Sequence, residues 1–259
     1  VYKRQGDDVA AVYFENPSYL GQLQPHAAEL AATARRHGAE TVVGVDPVSL
    51  GILQPPGAYG ADIVVGSIQP LGIHMHCGGG LGGFIASSDD ASYATQYPAL
   101  MVSIGETTHG EHAFSLALTH QSSYGSREEG RDWTGNSTYL WAVASAAYMA
   151  LLGPAGFREL GELVIQRAHY CASLLQQING VEVLPPSGFF KEFVINVDAT
   201  GKTVAEINAA LLRDEIFGGL DLSKNFPELG QSSLYCVTEV HSEADLQRLA
   251  QRLAEAVQQ

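Results

Sequence analysis

The feature that most constrains this fold is the alternation of short apolar β runs with one alanine-rich helix near the start of the chain. Val9 to Phe14 reads as a buried strand with Asn16 and Pro17 as its exit turn, and Ala27 to His37 reads as a helix closed by Gly38. Strands at Thr41 to Val45 and Ala61 to Val65 follow. A strand, a helix and a further strand in that order require a crossover, which predicts a parallel sheet. Such a sheet presents its chemistry at the C-terminal ends of its strands. Asp46 stands at one of those ends, and Gln69 lies on the turn after the next strand, 23 residues later. On spacing alone two accounts stand. The pair faces a ligand, or Asp46 caps a turn and Gln69 is an ordinary loop amide.

The stretch from Val45 to Ala86 also has the layout of a pyridoxal-phosphate site. In that layout the first carboxylate keeps the pyridinium nitrogen protonated, and a lysine on the second turn anchors the cofactor covalently. Position 69 is glutamine instead. Its amide nitrogen is neither basic nor nucleophilic, so covalent anchoring there is chemically excluded. Gly78, Gly79, Gly80, Gly82 and Gly83 permit a tight loop whose backbone approaches something closely, without the spacing of a phosphate loop.

Four segments, VDPVSLGILQPPGAYGADIVVG, GGGLGGFIAS, YMALLGPAGFREL and LYCVTEVHSEADL, run in register from about Glu15 to the C-terminus. Together they resemble the N-terminal half, or subunit 1, of the glycine cleavage system P-protein family, glycine dehydrogenase (decarboxylating, aminomethyl-transferring). PPGAYGAD and VTE-H-EADL are far more specific than any glycine loop. The resemblance implies an α/β fold, that of the fold-type I pyridoxal-phosphate-dependent transferases (aspartate aminotransferase-like). Residues 1–152 would be the C-terminal part of the large domain, and 153–259 a smaller α+β C-terminal domain. It also implies an enzyme that decarboxylates glycine and passes the aminomethyl group to the lipoyl arm of H-protein. Two homologous halves pair in this family. The pyridoxal phosphate is therefore expected on the partner half, subunit 2, with none covalently held here and no catalytic residue in this chain. Asp46 and Gln69 would then be remnants of a cofactor pocket. Two rival readings are an independent fold-type I enzyme that binds pyridoxal phosphate noncovalently and a non-enzymatic scaffold or regulator.

A chain of 259 residues with 46% hydrophobic content can bury a substantial core. It opens on Val1, directly before the first strand, which suggests an N-terminally truncated fragment. No apolar run long enough for a bilayer and no signal-like start stand out, so no membrane partner is expected. A formal charge of −14 with sparse Lys and Arg argues against nucleic acid. Cys77, Cys171 and Cys236, odd in number and widely spaced, suit reduced thiols in a cytoplasmic protein.

Further on, Gly82 to Ser87 reads as a strand, and an antiparallel pair is expected around Ala113 to Thr119. LWAVASAAYMALLG predicts a buried helix stopped by Gly153 and Pro154, followed by an amphipathic helix over Pro154 to Gln177. The C-terminal part should contain strands at Phe193 to Val197 and Ser233 to Thr238, and helices at Val204 to Asp214 and Ser242 to Val257. Ser242 and Asp245 are placed to form a capping box. Other clusters read more simply. His74, His76 and Cys77 lack a second ligand pair for a metal, and His109 and His112 lack zincin spacing and read as loop histidines near a cleft. Glu239 and His241 cap the final helix or line an interface. Arg127 and Arg131 could bind an anion, but a solvated face with Glu128 and Glu129 explains them better. The family's longer and more basic segment is shortened here.

Overall fold

The computed structural model describes residues 8–74, 81–97, 101–117, 126–130, 138–184 and 188–258. Its first sheet begins with β1 (Ala11–Glu15), followed by helix α1 (Ala27–Arg36), β2 (Glu40–Val45) and β3 (Ile63–Ser67). The three strands are parallel, with Phe14 beside Val43 and Val43 beside Val64, as the crossover requires. Ala27 and Leu30 of α1 pack on Phe14, Val43 and Val45, and this burial fixes the helix on the sheet. Gly38, with φ 70°, ends the helix in the left-handed region expected of it. β4 (Gly83–Ser87) closes the sheet antiparallel to β3.

A four-residue helix α2 (Ala91–Ala94) follows, capped by Asp90, which accepts from the Ser92 N–H at 2.7 Å. β5 (Met101–Glu106) and β6 (His112–Ala117) form the expected antiparallel pair. Val102 faces Leu116 and Ile104 faces Phe114, and all four side chains are exposed.

Helix α3 (Tyr139–Leu175) contains a break at Gly153, where φ 59° and ψ −177° are non-helical, and Pro154 restarts the helix. The stop read from Gly153 and Pro154 is therefore where the chain bends. The expectation that the segment before it is buried does not hold. Leu140, Val143 and Leu151 are exposed, and Ser145 is the buried residue of that segment. Apolar composition shows that a surface needs cover, and the described residues do not supply it. By length and composition alone α3 could cross a membrane. The break leaves a segment of 14 residues, 139–152, which reaches about 21 Å against the roughly 30 Å of a bilayer core.

β7 (Glu182–Leu184), β8 (Glu192–Asn196), helix α4 (Val204–Arg213), β9 (Leu220–Asp221), β10 (Ser232–Cys236) and helix α5 (Glu243–Gln258) complete the chain. The strands form a second, antiparallel sheet in the order β7-β8-β10-β9. Ser242 and Asp245 make the capping box reciprocally, Ser242 N–H to Asp245 Oδ2 at 2.8 Å and Asp245 N–H to Ser242 Oγ at 3.2 Å. The main core lies between this sheet and the helices. It holds Cys171 and Leu175 of α3, Phe189, Phe193, Leu211 and Leu253, and each large apolar side chain there contributes about 1.5–3 kcal/mol.

The two sheets meet through a small cluster of Val48, Val164 and Phe190. Beside it the loop after β1 pairs with the residues before β8. Leu23 N–H donates to the Gly188 carbonyl at 2.7 Å, and Phe190 N–H to the Gly21 carbonyl at 3.3 Å. Gly21 has φ 84°, and a methyl group there would collide with the Glu192 carbonyl. That close approach carries the start of β8 over the end of β2.

Candidate functional site

Asp46 follows β2 and has two distinct engagements. Its Oδ1 accepts from the Val48 N–H at 2.8 Å, and its backbone carbonyl accepts from the Ser49 hydroxyl at 2.7 Å, so it does cap a turn. Its Oδ2 is ion-paired with the Lys191 ammonium. Gln69, on the turn after β3, is tied back into its own loop. Its Nε2 donates to the Ile73 carbonyl at 2.7 Å and its backbone N–H donates to Ser67 Oγ at 3.1 Å. Its Oε1 is buried and has no hydrogen-bond partner among the described residues.

Both residues line one cavity of about 530 Å³, together with Tyr13, Glu15, Lys191 and Glu192. The side chains of Asp46 and Lys191 are 12% and 18% exposed, so the pair is largely withdrawn from water and its interaction is little screened. Lys191 also lies 3.6 Å from Glu192 Oε1, so two carboxylates face one ammonium. Burial alone would push the Lys191 ammonium down. The Asp46 and Glu192 carboxylates offset it, and the net displacement is upward. Burial raises the Glu192 carboxyl, with Lys191 opposing and Asp46 adding to the rise. Lys191 is therefore held as a cation, the wrong form for a nucleophilic amine.

A second cavity of about 560 Å³ lies between β4 and α3, lined by Ile68, Leu71, Phe84, Ala142, Met149 and Phe157 among others. Among the described residues no ionisable side chain lines it, whereas the first brings together Asp46, Lys191, Glu192 and Glu15.

The sequence model of the family described as glycine cleavage system P-protein matches residues 2–253. This chain belongs to that family. Probable glycine dehydrogenase (decarboxylating) subunit 1 of Staphylothermus marinus is 36% identical over 97% of the chain, which spans 54% of that relative. The Saccharolobus solfataricus protein of the same description is 35% identical over 98% of the chain and 54% of its own length. The crystal structure of a glycine decarboxylase (P-protein) of the glycine cleavage system, in inhibitor-bound form, superposes with TM-score 0.87 at 35% identity, over 97% of this chain and 56% of that one. A C-DES variant with glycine covalently linked to its PLP cofactor matches at TM-score 0.64 and 20% identity, which shows the fold alone. The fold is that of the fold-type I pyridoxal enzymes.

Against that P-protein background, the residues here do not fit a pyridoxal phosphate held in the usual way. One Asp46 oxygen caps a turn and the other carries Lys191, and the residue of the second turn is an amide bonded to Ile73. Sequence reasoning missed Lys191 and Glu192. The only signal was a charged pair opening the apolar run Phe193 to Val197.

The remaining candidates are dispersed. His76, Cys77 and Arg131 lie outside the described residues. His109 lies in the β5–β6 turn, whereas His112 opens β6 and is not a loop residue, and both are exposed. Among the described residues no group of three or more potential ligands is placed to hold a metal. Arg127, Glu128 and Glu129 are exposed on a single 3-10 turn. His241 Nδ1 accepts from the Thr238 N–H at 3.0 Å, and the Glu239 carbonyl accepts from Arg167, so this pair shapes the turn before α5. Cys171 is buried, and burial pushes its thiol up to about 12, the behaviour of an inert core residue.

Proposed function

We propose that this chain is the non-catalytic half, subunit 1, of a glycine dehydrogenase (decarboxylating) in the glycine cleavage system. The assembled enzyme would release carbon dioxide from glycine and pass the aminomethyl group to the lipoyl group of H-protein. Pyridoxal phosphate, carried by subunit 2, would supply the electron sink for the carbanion that decarboxylation leaves. The observation that carries the reading is the cavity at the end of β2. A glutamine stands where a covalent anchor would be, and the cofactor-facing carboxylate is already neutralised by Lys191. That neutralisation also weighs against independent noncovalent binding of the cofactor.

This chain's own share is architectural. The apolar face of the β5–β6 hairpin and the exposed side of α3 before Gly153 are surfaces suited to a partner, because an isolated two-stranded ribbon is marginal in water and extended apolar patches mark interfaces. The two separate hydrophobic cores support a division into 1–152 and 153–259 at the Gly153 break. The free thiols of Cys171 and Cys236 support a cytoplasmic setting. Borohydride reduction of the chain mixed with its catalytic half and pyridoxal phosphate, followed by peptide mapping, tests the assignment. A pyridoxyl-lysine on the partner alone is expected, and one on this chain at Lys191 would contradict it.

A further inference from the structure

We propose that Lys191 takes the cofactor's place in this half, its ammonium standing on Asp46 where a pyridinium N–H would stand, so that the cavity refuses pyridoxal phosphate. The proposal rests on the reading that this chain carries no cofactor of its own, and names the residue that enforces it.

Loss of an anchoring lysine at position 69 is not sufficient to empty such a pocket. A carboxylate at the end of β2 would still attract a protonated pyridine, and a pocket of about 530 Å³ is within the range of small-molecule sites. What closes it is competition. Lys191 is tethered to the same fold, so its ammonium meets Asp46 without the translational cost that a free ligand bears. Its position is not a matter of a swinging side chain alone. Phe190, one residue earlier, is buried and donates its N–H to the Gly21 carbonyl, and Glu192, one residue later, lies against Gly21. Glu192 Oε1, at 3.6 Å, gives the ammonium a second negative neighbour, and Cys236 Sγ donates to that same oxygen at 3.6 Å. Lys191 is also at the wrong end to anchor a cofactor. An amine in contact with the carboxylate that would face the ring nitrogen is across the ring from the aldehyde carbon.

The test uses 4′-deoxypyridoxine 5′-phosphate, which keeps the ring nitrogen and phosphate but has no aldehyde to label stray lysines. Equilibrium dialysis compares the 259-residue chain, Lys191→Met, and the double variant Lys191→Met with Asp46→Asn. The wild type should bind only weakly. Lys191→Met should bind about ten- to a hundredfold more tightly, the factor that one charge-assisted hydrogen bond carries, and the double variant should lose that gain. Tight binding by the wild type would overturn both the proposal and the reading beneath it. A folded Lys191→Met with no gain, or a gain that survives Asp46→Asn, would overturn the proposal alone. A second measurement needs no variant to fold. Reductive methylation with labelled formaldehyde in the wild type should modify exposed Lys224 fully and Lys191 slowly, and equal rates at the two would contradict an occupied Asp46.

Discussion

Tyr93 and Tyr235 are held as neutral phenols by different means, with one consequence. The Tyr93 hydroxyl donates to Glu40 Oε2 at 2.6 Å, and that hydrogen bond, ahead of burial, pushes the phenol up to about 12. Tyr235 lies in the core, and burial pushes it up to about 12 as well. Both folded values stand above the ordinary 10, so the stability they carry is fully present below pH 10 and is lost as pH rises from 10 through 12. Phenolate absorbance followed against pH should show these two ionising last and together with loss of the folded signal. All eleven tyrosines ionising together near 10 in a folded chain would contradict it. Legibility at this scale depended on distance along the chain. Asp46 and Gln69 could be read because each follows a strand by local pattern. Lys191 could not, because its neighbour Glu192 makes it look solvated, and the groups that meet it and its two neighbours, Asp46 and Gly21, lie far away in the sequence.

Among the elements, α3 shows what pattern carries and what it omits. The break between two helical segments was legible from Gly153 and Pro154, since a glycine with φ 59° and ψ −177° sits in a region side chains avoid. Gly153→Ala should therefore lower stability by roughly 1–3 kcal/mol in urea denaturation, and an unchanged midpoint would show that the bend is not obligatory. Burial of the first segment was misread because hydrophobicity does not say which chain provides the cover. β7 and β9 went unseen for a simpler reason. At three and two residues they are too short to show alternation, and the longer neighbours β8 and β10 recruit them. The capping box at Ser242 was legible because its four residues are contiguous.

For the whole molecule, two sheets with separate cores are joined by Phe190, Val164 and Val48, while apolar side chains remain uncovered on the β5–β6 hairpin. Their exposure separates two roles that are fused in most core residues. Ile104→Ser with Phe114→Ser should leave the chain's own stability within about 0.5 kcal/mol, because these side chains are already in water here. The same pair should abolish co-elution with the catalytic half in size-exclusion chromatography. Loss of the chain's own stability would show that the hairpin packs within it, and retained co-elution would place the partner elsewhere. The central claim is that this half completes an enzyme whose chemistry lies on another chain. Its most direct test is exchange of labelled bicarbonate into the glycine carboxyl group, with pyridoxal phosphate and H-protein present, by this chain alone and mixed with its catalytic half. Exchange in the mixture and none from the chain alone is the predicted result, and exchange by the chain alone would contradict it.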